Sequence, residues 1–269
     1  MDEAVALLAK GDARILAGGT DFYPTAGERP VLDNVVDISG LASLRGIATE
    51  ASHIRIGGLT TWTDIIRTPL PGCFDALKGA AREVGSIQIQ NRGTVAGNLC
   101  NASPAADGVP PLLALDAQVE LVSRTGIRRM ALAEFIVGNR KTLRRPDEFL
   151  SAVLVERNVE NAAATFSKLG TRKYLVISIT MVAVVASFKG DRVSDVRVAV
   201  GSCSAAAKRL TLLEQGLRGA PVEHVEKLVR PEHLAPLSPI DDIRATADYR
   251  MDASLTLIRR TLRACLGAN

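Results

Sequence analysis

Helical and strand-like spacings of apolar residues alternate along the first half of the chain. Over residues 3–10 the apolar positions lie three and four residues apart, which predicts an amphipathic helix. Short apolar runs with strand character follow at residues 13–16, 35–38 and 53–56. Helical spacing returns from residue 63 and over residues 74–83. This alternation predicts mixed α and β structure around a common core.

The pattern becomes richer in strands toward the C-terminus. Strands are predicted at residues 119–122, 149–156, 165–169, 178–188 and 193–201. The tetrapeptide Lys189-Gly190-Asp191-Arg192 predicts a hairpin turn between the last two of these strands. Two amphipathic helices are then predicted, over residues 207–217 and 249–266.

A polar stretch at residues 157–161 separates these two regions and is interpreted as a domain boundary. We therefore expect an N-terminal domain over residues 1–157 and a C-terminal domain over residues 162–267. The fold class is predicted as α+β, and the C-terminal domain is predicted to contain a three-stranded antiparallel sheet with helices.

The longest apolar run, residues 174–188, is 15 residues long and contains Ser178, Thr180 and Ser187. A helix needs about 20 apolar residues to span a bilayer, so no membrane span is expected. The chain begins Met1-Asp2-Glu3, whereas a secretory signal begins with basic residues. The four cysteines are far apart in sequence and form no CxxC pair. These features indicate a cytoplasmic protein with reduced thiols.

Composition and charge argue against a nucleic-acid-binding protein. With 269 residues and 47% hydrophobic content the chain can bury a substantial core. It has 33 basic and 29 acidic residues, and its one local basic cluster comprises Arg140, Lys141, Arg144 and Arg145. No aromatic residues interleave with this cluster, so nucleic-acid binding is not expected.

A glycine pair follows the strand predicted at residues 13–16. Glycine allows close approach to a main chain, and consecutive N–H groups with a threonine hydroxyl suit the diphosphate of a dinucleotide. Asp21 is expected to accept hydrogen bonds from N–H groups of the same loop and so to orient them. This first loop is Leu16, Ala17, Gly18, Gly19, Thr20 and Asp21. It is not the GxGxxG motif of nicotinamide-binding domains, and the chain has no P-loop.

A second glycine-containing loop lies about 75 residues later in the sequence. Its site residues are Thr94, Val95, Ala96, Gly97 and Asn98. Main-chain N–H groups here are also expected to face a diphosphate, with Thr94 and Asn98 binding phosphate or ribityl oxygens. Downstream, Ser103 and Pro104 predict the start of a helix, with Asp107 in its first turn. Asp107 is a candidate acceptor for ribityl hydroxyls.

Three motifs, in order, resemble the FAD-binding subunits of the molybdenum hydroxylases, the medium subunits of enzymes of the xanthine dehydrogenase, aldehyde oxidoreductase and carbon monoxide dehydrogenase type. The resemblance covers nearly the whole chain. The motifs are Ala17-Gly18-Gly19-Thr20-Asp21, Arg92-Gly93-Thr94-Val95-Ala96-Gly97-Asn98 continuing into Ala102-Ser103-Pro104-Ala105-Ala106-Asp107, and Asp242-Ile243-Arg244-Ala245-Thr246-Ala247-Asp248-Tyr249-Arg250.

The resemblance implies a two-lobed FAD-binding domain of the vanillyl-alcohol oxidase (PCMH) class, followed by the flavoprotein C-terminal domain of these subunits. By analogy the two loops bind the FAD diphosphate, and Leu150 and Lys168 approach the flavin ring. A cationic Lys168 would stabilise negative charge on reduced flavin. The residue that stacks on the ring stays open between Val84 and Ile177.

The implied partners are a molybdopterin-binding large subunit and a small subunit with two [2Fe-2S] clusters, assembled as a dimer of heterotrimers. The chain would pass electrons from those clusters to an external acceptor. Two alternatives stay open at this point. One is a self-contained FAD oxidase of an alcohol or sugar, in which a histidine or cysteine commonly attaches the flavin. The other is an assembly subunit that has lost the cofactor.

Overall fold

The computed structural model describes residues 1–27 and 34–267. The chain opens with a small lobe in which two short strands pair in parallel, with Leu16 opposite Asp37. Its elements are α1 (Asp2–Leu8), β1 (Ala13–Leu16), α2 (Phe22–Ala26) and β2 (Asn34–Asp37). Leu8 and Val36 belong to the hydrophobic cluster under this lobe, and the cluster extends to Phe149 of the next lobe. The predicted helix and the first two predicted strands are confirmed.

The second lobe is built on an antiparallel sheet with the strand order β3-β4-β9-β5-β6. Its strands are β3 (Ile47–Thr49), β4 (His53–Gly57), β5 (Gln118–Ser123), β6 (Gly126–Ala131), β7 (Ile136–Gly138), β8 (Lys141–Thr142) and β9 (Phe149–Glu156). Its helices are α3 (Trp62–Arg67), α4 (Asp75–Glu83), α5 (Ile87–Arg92), α6 (Val95–Asn101), α7 (Val109–Ala114) and α8 (Leu132–Phe135). Both lobes therefore contain helices and strands, as the sequence pattern predicts.

The C-terminal part contains a second antiparallel sheet with the order β10-β11-β12-β13. Its elements are β10 (Ala163–Leu169), β11 (Thr180–Lys189), β12 (Arg192–Gly201), β13 (Lys208–Arg209), α9 (Thr211–Leu217), α10 (Val225–Leu228) and α11 (Ala247–Leu266). The three predicted strands are confirmed, and the two-residue strand β13 extends the sheet at one edge. Gly190, with φ of +62°, forms the predicted hairpin turn.

The apolar run that includes β11 forms a strand buried on both faces. Val182 and Val184 pack with the C-terminal helices, in the same cluster as Ile258 of α11. Ala183 and Val185 point the opposite way, into the main cluster of the N-terminal region. Alternate residues of a strand face opposite sides, so a strand covered on both sides is apolar throughout. In the described part of the chain, no helix is both long enough and apolar enough to cross a membrane.

The helix predicted from Ser103 is wrong. The next helix, α7, begins only at Val109. Ser103 instead forms a tight turn, in which its hydroxyl accepts from the N–H of Ala105 at 3.3 Å. The turn directs Asp107 inward, where Lys168 and Ser178 of the C-terminal part hold it. Tertiary contacts thus decide the conformation of this segment over its local capping signal.

The helix predicted over residues 207–217 begins four residues later, at Thr211. Lys208 and Arg209 are in β13, paired with Val200 and Ala199. From this strand the Arg209 guanidinium reaches the carboxylate of the buried Glu214, with Nη2 2.8 Å from Oε2. This ion pair ties the strand to the helix that follows it.

Candidate functional site

The two predicted loops lie against each other. A Cβ atom on Gly18 would overlap the carbonyl oxygen of Arg92, and a Cβ on Gly93 would lie 3.5 Å from the hydroxyl of Thr20. Gly19 has φ of +78°, a conformation that glycine adopts far more easily than other residues. Main chain therefore contacts main chain between Gly18 and Arg92, and the small Thr20 side chain lies beside Gly93.

A cavity of about 460 Å³ opens beside this contact. Of the fourteen residues predicted from the sequence, ten line it: Ala17, Gly18, Gly19, Thr20, Asp21, Thr94, Ala96, Gly97, Asn98 and Leu150. Val84 lines it too, whereas Ile177 does not. Its volume is within the range of sites that bind small molecules and cofactors.

The first loop presents unpaired main-chain donors to this cavity. Among the described residues, none accepts a hydrogen bond from the N–H groups of Gly18, Gly19, Thr20 or Asp21. Gly18, Gly19 and Thr20 are half-buried and Asp21 is exposed, so a ligand can replace water at these N–H groups. Consecutive unpaired donors of this kind form a concavity suited to an anion.

The second loop differs, because the N–H groups of residues 95–98 are paired within the protein and only that of Thr94 has no acceptor among the described residues. The N–H groups of Val95 and Ala96 donate to the carbonyl oxygens of Thr60 and Gly58, at 2.9 and 3.3 Å. The N–H of Gly97 donates to the Thr94 hydroxyl oxygen at 3.0 Å, because Thr94 is the N-cap of α6. The second loop therefore offers side chains, namely the hydroxyl hydrogen of Thr94 and the carboxamide of Asn98.

Asn98 carries a polar atom without a protein partner. Its Oδ1 is buried, and no described residue donates to it. The side chain lies against Gly108, where an added Cβ would be 3.0 Å from Oδ1 and would overlap the Trp62 ring. Asn98 also lines the cavity, so its carboxamide group is available to a polar ligand there.

The predicted role of the Asp21 carboxylate is also wrong. Asp21 is the N-cap residue of α2, but its side chain accepts no capping hydrogen bond. Its main-chain carbonyl instead accepts from the hydroxyl of Thr25 at 2.6 Å. The loop N–H groups are thus free for a ligand.

Four predicted site residues do not line the cavity: Leu16, Val95, Asp107 and Lys168. Leu16 lies beneath Gly19, and Val95 is fully buried in the main hydrophobic cluster. Asp107 and Lys168 form an ion pair with Nζ 2.8 Å from Oδ2 and with side chains 10% and 6% exposed. Their direct contact with a cofactor stays a prediction.

The Asp107–Lys168 pair joins the two regions of the chain. Ser178 donates to the other Asp107 oxygen at 2.9 Å, and Lys168 also reaches the carbonyl oxygen of Glu83 at 3.4 Å. Burial raises the pKa of the Asp107 carboxyl, although the Lys168 charge and the two hydrogen bonds oppose the shift.

Three lining arginines were not predicted as site residues: Arg14, Arg140 and Arg144. Two of them belong to the basic cluster at residues 140–145 that the sequence shows. Only part of this cluster lines the cavity. Arg140 and Arg144 line the cavity, whereas Lys141 and Arg145 do not. The only carboxylate among the described lining residues is Asp21, so the wall is cationic.

Together, the free N–H groups of the first loop, the cationic wall and the carboxamide of Asn98 define a site for an extended anionic dinucleotide in an α+β protein. Within the described residues, no group of three or more His, Cys, Asp and Glu side chains is arranged to hold a metal ion. The residues present fit FAD, whose diphosphate is anionic and whose ribityl chain carries hydroxyl groups.

Comparison with known proteins agrees with this assignment. Residues 1–155 match the family model of the FAD binding domain in molybdopterin dehydrogenase, and residues 164–265 match that of the CO dehydrogenase flavoprotein C-terminal domain. The chain belongs to this family of FAD-binding subunits, and its cofactor is FAD.

Two curated relatives and one solved structure illustrate the similarity. The nicotinate dehydrogenase FAD-subunit of Eubacterium barkeri is 41% identical over 61% of this chain, a match that spans 57% of that protein. The xanthine dehydrogenase FAD-binding subunit of Escherichia coli O157:H7 is 29% identical over 99% of this chain and 93% of its own length. The structure of carbon monoxide dehydrogenase from Hydrogenophaga pseudoflava superposes with a TM-score of 0.88 at 28% identity, covering 98% of this chain and 94% of that one.

Gly18→Ala should weaken FAD binding by roughly tenfold or more, because the new methyl group must displace the second loop by overlap with the Arg92 carbonyl oxygen. Fluorescence titration with FAD measures the change. Gly40→Ala is the matched control, since nothing lies within 4 Å of its added Cβ. Equal FAD affinity in both variants would show that the loop contact is not needed for binding.

Lys168→Met should lower the unfolding free energy by about 3 kcal/mol at neutral pH, because it leaves the buried Asp107 carboxylate unpaired. The loss should shrink as the pH falls from neutral toward about 4, since a raised carboxyl pKa favours proton uptake by the folded state. Urea denaturation at several pH values measures both effects. The exposed Lys189→Met is the control, and a pH-independent loss would contradict the expectation.

Proposed function

We propose that this chain is the FAD-carrying electron-transfer subunit of a molybdenum hydroxylase, which passes electrons from [2Fe-2S] clusters of a partner subunit to an external acceptor. The observation that carries the proposal is the run of unpaired N–H groups from Gly18 to Asp21 in a loop that lines the cavity together with Thr94 and Asn98 of the second loop. FAD, when bound, supplies redox chemistry that links single-electron and two-electron carriers.

The residues of this chain bind and orient the cofactor. The N–H groups of the first loop donate to diphosphate oxygens, where hydrogen bonds to a charged acceptor are strong. The Thr94 hydroxyl and the Asn98 carboxamide would bind ribityl or phosphate oxygens. Val84 and Leu150 supply apolar wall and limit the access of water.

Lys168 has a second proposed role, through its charge. It lies outside the cavity lining and is paired with Asp107, so the electrostatic effect of the pair at the cavity is that of a dipole. We propose that Lys168 approaches the flavin ring and stabilises negative charge on reduced flavin, with Asp107 holding the ammonium group in place.

We also propose that residues 1–157 and 162–267 are the two domains of the chain. They are not independent in packing, because Ala164 and Ala183 belong to the same hydrophobic cluster as residues of the first domain.

The proposed partners are a molybdopterin-binding large subunit and a [2Fe-2S] small subunit, arranged as a dimer of heterotrimers. Support comes from the family model, which describes molybdopterin dehydrogenases, and from the relatives, which are named as FAD subunits of dehydrogenases. We also propose a cytoplasmic location. All four cysteines are free, which suits a reducing compartment.

A self-contained oxidase is the second candidate, because Cys100 lines the cavity and a cysteine can attach a flavin covalently. Burial raises the pKa of the Cys100 thiol to about 11. The thiol is therefore protonated at neutral pH, and the thiol form is a poor nucleophile. This property favours a non-covalently bound flavin and the electron-transfer assignment.

Acid precipitation of the yellow protein should release all of its FAD into the supernatant, and Cys100→Ser should bind and release FAD as the unchanged chain does. Absorbance at the flavin band in the two fractions measures the outcome. Flavin that stays with the precipitate, and is lost from it in the Cys100→Ser variant, would support the oxidase instead.

Native isolation of the tagged chain from its own cells should recover molybdenum and about four iron atoms per FAD, since each of two clusters contains two irons. Metal analysis and flavin extraction on the same sample measure these ratios. A yellow protein isolated alone that consumes oxygen with an alcohol or sugar would indicate the oxidase. A metal-containing complex that yields no extractable flavin would indicate an assembly role.

A further inference from the structure

We propose that Arg140 is an FAD-binding residue whose guanidinium group is a ligand of the diphosphate, and that Asn101 positions it. The inference rests on the proposed function only in taking FAD as the ligand of the cavity. It adds a cationic side chain to a site whose other diphosphate donors are main-chain N–H groups.

The three arginines on the cavity wall have different surroundings. Arg144 is held by the main chain, since its Nη1 donates to the carbonyl oxygens of Arg145 and Glu148 at 2.9 and 2.7 Å. The Arg14 guanidinium lies over the Phe22 ring, 4.5 Å from its centre. Arg140 donates to Asn101 Oδ1 and, in the described part of the chain, has no carboxylate partner.

Arg140 occupies a backbone position that disfavours its side chain. It is the second residue of the two-residue turn between Gly138 of β7 and Lys141 of β8. Its φ is +53°, a region in which the Cβ of an L-residue is crowded and glycine is the usual choice. A function of the guanidinium group would explain why arginine occupies this position.

A second unusual residue fixes the direction of the turn. Ala102, which ends α6, has φ of +47°, and its carbonyl oxygen accepts from the N–H of Arg140 at 2.9 Å. The hairpin is thus joined to the end of the helix that presents Gly97, Asn98 and Asn101 to the cavity. Asn98 and Asn101 are three residues apart, so they lie on the same face of α6. The guanidinium bound to Asn101 is therefore attached to the same face of α6 that carries Asn98.

The chemistry of FAD indicates which of its groups the Arg140 guanidinium binds. In oxidised FAD the isoalloxazine ring and the adenine are neutral, and the diphosphate carries the negative charge. Arginine forms strong, directional hydrogen bonds with phosphate oxygens. The Asn101 oxygen takes up one donor of the guanidinium and leaves the others for the ligand.

Arg140→Gly tests this assignment because it removes the guanidinium while relieving the backbone strain. A purely structural arginine would leave FAD affinity unchanged. We expect FAD affinity to fall by about tenfold or more, with a weaker dependence of the dissociation constant on salt. The thermal midpoint of the apoprotein should stay the same or rise. Fluorescence titration at low and high salt and a melting curve measure the three quantities.

Two further variants make the result specific. Lys141→Ala removes the adjacent positive charge, which does not line the cavity, and should bind FAD like the unchanged chain. Arg140→Lys retains the charge and should recover most of the salt dependence. The proposal is overturned if Arg140→Gly binds FAD within about threefold of the unchanged chain, or if Lys141→Ala weakens binding equally. If the unchanged chain binds no FAD, the proposed function fails instead.

Discussion

The close approach of two main-chain segments is the constraint on which this site depends. Gly18 leaves no room for a side chain against the Arg92 carbonyl oxygen, and Gly93 approaches the hydroxyl of Thr20. Loops from two lobes therefore meet with no side chain between Gly18 and the main chain of Arg92. Because the donors of the first loop are part of the backbone, their positions are fixed by this contact and not by rotamers. A binding site built in this way needs little rearrangement when an anion enters.

The two loops contribute by different means, although their sequences look similar. The second loop uses the N–H groups of residues 95–98 internally, to begin α6 and to join it to the segment at Gly58 and Thr60. That internal bonding makes α6 a rigid support for Asn98 and Asn101. The first loop leaves its N–H groups unpaired and so has unsatisfied hydrogen-bonding capacity for a ligand. One loop provides rigidity and side chains, and the other provides main-chain donors.

The C-terminal sheet is a structural partner of the cavity-bearing region. Strand β11 is buried on both faces, and its residues alternate between the C-terminal helices and the main cluster of the first region. The Asp107–Lys168 pair crosses the same boundary behind the cavity. Breaking a buried pair leaves a desolvated charge, so this contact resists separation of the two regions. The two regions are consequently coupled at the level of packing.

The sequence by itself determined the elements whose signals are local. Apolar spacing predicted α1, β1 and β9, and the turn residues at 189–192 predicted the hairpin. The glycine pairs with their threonines indicated the two loops and, by resemblance, the FAD family. Only the tertiary structure decided which loop has free N–H groups, because pairing depends on acceptors such as Thr60 that are distant in sequence. It also decided that Ser103 begins no helix, that Asp107 faces Lys168, and that Arg140 rather than Lys141 lines the cavity. The physical reason is that these outcomes depend on long-range contacts and on the direction of a turn, which local propensity does not specify.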